Sequence, residues 1–166
     1  MAIEDITAQE FLDATWFACG NSAAKPAYKQ TLEELKRSPA TKQKLVFELL
    51  AMIPKLIDSR QAPSDAFLWA ARWRRCVEPP RIPEYLAMLE SAVTRYFEAI
   101  RTLPADVDVH PWVLPLGVGL DAISELDGPG YTRFLNALQQ ECGDPATDPR
   151  KHILDAAISD GKRRDQ

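Results

Sequence analysis

Histidine is almost missing: only His110 and His152 occur in 166 residues. That leaves little for imidazole acid–base chemistry, and no His-Glu-x-x-His pair or Cys/His dyad is present. Cysteine is scarce and scattered, at positions 19, 76 and 142, an odd number without a Cys-x-x-Cys. This excludes a disulfide framework and leaves a zinc site short of ligands. The expectation is three reduced thiols in a cytoplasmic protein. Glycine is sparse too, and no P-loop or Gly-x-Ser-x-Gly elbow occurs. No apolar run reaches 18 residues and no charged, apolar leader opens the chain, so a membrane span or signal peptide is not expected. Excess positive charge is also lacking. The net charge is −4, which gives no general attraction for nucleic acid or anionic membrane.

What is present is ordinary globular composition, 46% hydrophobic and 27% charged, in a chain long enough for one self-sufficient core. The patterning is helical. In Pro83–Leu103, residues Leu86, Leu89, Val93, Tyr96, Ile100 and Leu103 recur at spacings of three and four. Tyr85, Ala92, Phe97 and Ala99 widen that stripe, so this helix needs neighbours on more than one side.

Thirteen prolines punctuate the rest. Ser38-Pro39 and Asp148-Pro149 pair a capping side chain with a first-turn proline, and Ser64 is a further candidate cap. Thr7 and Glu10 form a capping box before a helix from Ala8 to about Cys19. Further helices are expected over Pro26–Arg37, Pro39–Asp58 (kinked or split near Pro54), Ser64–Val77, Trp112–Leu126, Tyr131–Cys142 and Pro149–Ser159. Residues 105–114 alternate like a strand but have no partner, so they are assigned to an extended connector. Asp127-Gly128-Pro129-Gly130 reads as a turn. The expected fold is an all-α, irregular bundle of seven or eight helices around Pro83–Leu103. It forms a single domain over residues 1–160, followed by a disordered charged tail at 161–166.

Two charged segments flank the central helix. Between Arg60 and Arg81, five arginines face Asp65 and Glu78, a local charge of +3. Arg72, Arg74, Arg75 and Arg81 interleave with Trp69 and Trp73, and Trp and Arg are the common anchors of protein interfaces. The bland alternative puts both tryptophans in the core, with the arginines as a solvated flank. Residues 105–127 carry Asp106, Asp108, Asp121, Glu125 and Asp127 with no Lys or Arg. These form a candidate acidic partner face. It could meet the arginines inside the fold, pair with them between two copies in a homodimer, or steer a partner.

Asp106-x-Asp108-x-His110 lacks the further ligands a metal needs, so no metal and no cofactor is expected. Gly117-x-Gly119 resembles a fragment of a dinucleotide fingerprint but lacks the βαβ unit. It is better read as a site of close helix approach. The leading expectation is a non-catalytic protein-binding protein, either adaptor, chaperone-like or inhibitor/immunity-type. Its partner face would be Trp69, Arg72, Trp73, Arg74, Arg75 and Arg81. The alternative is a small-ligand binder or enzyme with a pocket near Trp112, Gly117 and Asp121. A nucleic-acid-associated regulator comes third.

Overall fold

The computed structural model describes residues 2–16, 26–61, 63–103, 108 and 110–164; side chains 15, 16, 26–28 and 162–164 are outside the description. Among these residues there are eight α-helices and no strand. They are α1 (Ala8–Trp16), α2 (Pro26–Lys36), α3 (Pro39–Asp58), α4 (Ser64–Arg72), α5 (Ile82–Ile100), α6 (His110–Leu126), α7 (Gly128–Glu141) and α8 (Arg150–Arg164). The protein is an all-α bundle.

The wide apolar stripe of α5 is buried as its spacing requires. Tyr85, Leu89, Ala92, Val93, Tyr96, Phe97 and Ile100 are all in the core. The helix packs against α3 on one side and α6 on the other. α6 shares the centre with it, touching α4, α5, α7 and α8. Gly119 explains how α6 comes so close. A Cβ there would lie 2.9 Å from Val93 Cγ2 and 3.8 Å from the Phe67 ring. Two buried hydroxyls tie the same helices: Tyr85 donates to the Ala70 carbonyl of α4 at 2.9 Å, and Tyr96 to the Trp112 carbonyl of α6 at 2.9 Å.

Helix ends follow local chemistry, in places against the sequence-based expectation. The Glu10 backbone N–H donates to the Thr7 hydroxyl at 3.1 Å, as in a capping box. The Thr7 hydroxyl itself donates to the Glu10 carboxylate at 3.0 Å. Ser38 precedes α3 but makes no side-chain cap, and Pro63, not Ser64, occupies the cap of α4. α3 is one continuous helix through Pro54: the proline forfeits its N–H bond and crowds the carbonyl four residues back, but Leu49, Leu50 and Ile53 beside it are buried in the core and hold the helix. α4 stops at Arg72, earlier than expected, where Arg74 Nη1 donates to the Ala71 carbonyl at 2.9 Å and satisfies a helix-end acceptor.

The expected turn at 127–130 is instead the start of α7. The Asp127 carboxylate accepts from Gly130 N at 3.0 Å, and Pro129 fits the first turn. α6 begins at His110, two residues before the expected start, so residues 110–114 of the expected extended connector are helical, with the Asp108 carboxylate accepting from His110 N at the helix start; residues 105–107 and 109 of that connector lie outside the described residues. α8 runs to Arg164 with Gly161 buried, into the stretch read as a tail. Cationic residues suit the C-terminal end of a helix.

A buried ion pair closes the corner between α7 and α8. Arg150 is 3% exposed and Asp148 8%. Arg150 Nη2 donates to Asp148 Oδ2 at 2.9 Å and to the Glu141 carbonyl at 2.6 Å, while Nη1 reaches Glu98 of α5 at 3.3 Å. The guanidinium lies 4.9 Å from the Phe97 ring centroid. Asp148 also accepts from Gly143 N at 2.8 Å. The Arg150 hydrogen bonds hold the Asp148 carboxyl down to about 2, with backbone N–H groups adding and burial opposing.

A lowered folded-state value stabilises the fold above the unfolded value, and that contribution is lost as pH falls through the folded one. Asp148→Asn is therefore expected to cost roughly 2 kcal/mol at pH 6 in urea denaturation, with the gap to wild type closing between about pH 4 and pH 2. A gap that stays constant with pH would contradict this role.

Candidate functional site

α4 and the 3-10 turn after it, Arg74–Cys76, present the arginines on one edge of the bundle. Their aromatic neighbours turn inward. Trp73 is 8% exposed, Phe11 is fully buried and Trp69 is half-buried. The three rings form a cluster with centroids 5.0–5.1 Å apart. Both tryptophans thus pack on the core, Trp69 at its margin, while Arg72 and Arg75 are the members of the cluster most open to solvent.

The arginines differ among themselves. Arg74 is held by Glu125 of α6 and by the Ala71 carbonyl. Arg81 stacks 3.7 Å from the Phe47 ring centroid and pairs with Glu84 at 3.2 Å. Arg72 is exposed, with its guanidinium 5.4 Å from the Trp69 centroid. The Arg75 side chain is 82% exposed and touches Glu125 only at 3.4 Å. Hydrogen bonding from Arg74 holds the Glu125 carboxyl below its ordinary value, and the charges of Arg74 and Arg75 add to this. One carboxylate thus faces two guanidiniums. Lys42, 5.6 Å from the Trp73 centroid, extends the basic edge.

The acidic segment does not form one face. Glu125 meets Arg74 and Arg75, so the two charged segments do touch inside the fold. Asp108 accepts from His110 N at 3.0 Å and caps α6, and Asp127 caps α7. Asp121 is half-buried; burial raises the Tyr131 hydroxyl, and the nearby Asp121 charge adds to this. Asp106 lies outside the described residues.

The pocket residues separate as well. Gly117 and Gly119 are buried in helix packing, and Trp112 alone of the named group lines a cleft. That cleft, about 710 Å³, lies between the ends of α3, α5 and α6 and has Tyr96 and Trp112 among its lining. Sequence reasoning missed Ile57, Arg60, Pro63 and Ala99 there, because the cleft joins helix ends far apart in the chain.

Among the described residues no group of three or more His, Cys, Asp or Glu could hold a metal, and no helix is long and apolar enough to cross a membrane. Compared with family models, curated proteins and solved structures, the chain matches none.

The division between core aromatics and exposed arginines is measurable. Trp73→Ala should lose about 3–5 kcal/mol in urea denaturation. Arg75→Ala should change stability by no more than about 0.5 kcal/mol. A Trp73→Ala protein as stable as wild type would remove Trp73 from the core.

Proposed function

We propose that the protein is a non-catalytic binding protein of the cytoplasm, an adaptor, chaperone-like factor or inhibitor/immunity-type factor. It docks an acidic surface of another protein on the ridge carried by Arg72 and Arg75. The carrying observation is the unequal use of the arginines. Arg74 and Arg81 are committed to intramolecular partners, while the Arg75 side chain is 82% exposed beside a carboxylate already taken by Arg74.

The ridge is pre-organised. Arg72 lies against Trp69, whose ring is set in the Phe11/Trp73 cluster, so ordering on binding costs less than for a free arginine. Arginine forks of this kind recognise carboxylates bidentately. The overall charge of −4 favours a protein partner over nucleic acid, whose binding would fall steeply with salt. The free thiols of Cys76 and Cys142 suit a reducing compartment. A homodimer is compatible with the same ridge.

The test is a pull-down from native cell extract with wild type beside the Arg72→Glu/Arg75→Glu variant, both checked for equal thermal stability. A stoichiometric partner held by wild type and lost by the variant is expected. Equal capture by both proteins, or no capture by a folded monomer, would contradict the assignment.

A further inference from the structure

The end of α3 has an unusual residue in a familiar motif. Gln61 N donates to the Leu56 carbonyl at 2.8 Å and Arg60 N to the Ile57 carbonyl at 3.0 Å. These are the two bonds of a Schellman motif, which needs a left-handed residue after the cap. That residue is Arg60, with φ 58°, the only non-glycine of positive φ among the described residues. Glycine fills this position without the Cβ penalty, and helices commonly use it there. A strained arginine at a position open to glycine points to work done by its side chain.

Arg60 lines the cleft of about 710 Å³. Its walls include Ile57, Pro63, Ala99 and Leu103, and its aromatic element is the stacked pair Tyr96 and Trp112, centroids 5.5 Å apart and planes within 29°. The Tyr96 hydroxyl is fixed on the Trp112 carbonyl, so the pair is rigid. The one carboxylate in the lining, Asp58, is engaged by Arg95. Beyond that backbone bond to Ile57, Arg60 makes no hydrogen bond or ion pair among the described residues. The cleft therefore combines an aromatic surface, apolar walls and an uncommitted guanidinium, at a volume typical of small-molecule sites.

We infer that this cleft binds a small planar aromatic anion, its ring system on Trp112, which the buried Tyr96 backs, and its carboxylate or sulfonate on Arg60. The site is separate from the Arg72/Arg75 ridge, and neither assignment depends on the other. Arg60 supplies a charge-assisted, forked contact to the anionic group. Trp112, held in place by the buried Tyr96, supplies stacking area that does not depend on ligand charge.

The probes are 1-anilinonaphthalene-8-sulfonate and its uncharged analogue N-phenyl-1-naphthylamine, titrated by fluorescence and calorimetry into folded full-length protein. Wild type should bind the sulfonate saturably at one site. Arg60→Gly should weaken it by about tenfold or more, leave the uncharged probe within about twofold, and unfold at the same or a higher temperature. Trp112→Leu, which keeps the backbone carbonyl for Tyr96, should weaken both probes. Sulfonate affinity unchanged in Arg60→Gly, equal weakening of both probes by that variant, or no saturable binding to wild type would overturn the inference.

Discussion

The architecture depends on how closely α6 can approach α5. At Gly119 the space for even one methyl group is already taken, with Val93 Cγ2 at 2.9 Å from where a Cβ would sit. Valine in a helix has a stiff side chain, so it cannot easily swing away. The close approach lets α6 touch α4, α5, α7 and α8 together. Leu116, Leu120, Ala122 and Ile123 are buried as a result. Helix propensity alone would disfavour glycine here, so packing decides the residue.

Both proposed binding features hang on this placement. Near its start, α6 carries Trp112, whose carbonyl receives Tyr96 and whose ring lines the cleft. Near its end it carries Glu125, which fixes Arg74 and leaves Arg75 outward. Those residues lie thirteen positions apart, about 20 Å along a helix. One central helix thus sets an aromatic cleft at one end and a basic ridge at the other. The buried Arg150–Asp148 pair has a different task, holding α7, α8 and α5 in register. A desolvated pair of this kind is better understood as fixing geometry than as adding stability over an apolar alternative.

Much of the fold was legible because helical spacing is a local property. The wide stripe of α5, the Thr7/Glu10 start and the close-approach role of Gly119 all follow from residue type and position. What was hidden is equally physical. Trp69 and Trp73, four residues apart, share a face, but spacing does not say which face meets the core. That was decided by Phe11, far away in sequence. Gly-Pro-Gly after Asp127 carries turn chemistry, and the same residues also suit a capped helix start. Arg60 was invisible because nothing in its neighbours marks a left-handed position without glycine. The acidic segment looked continuous in the chain, yet helix geometry sent its described members to two helix starts, an ion pair and a half-buried site.

The most direct measurement is a double-mutant cycle between Gly119 and Val93, read by urea denaturation. Gly119→Ala alone should destabilise the protein despite its better helix propensity. In a Val93→Ala background, where the obstructing methyl is gone, the same substitution should become neutral or stabilising. The expected coupling is about 1 kcal/mol or more. Two effects that simply add would mean that α6 and α5 do not meet at this contact, and the placement of both the cleft and the ridge would lose its basis.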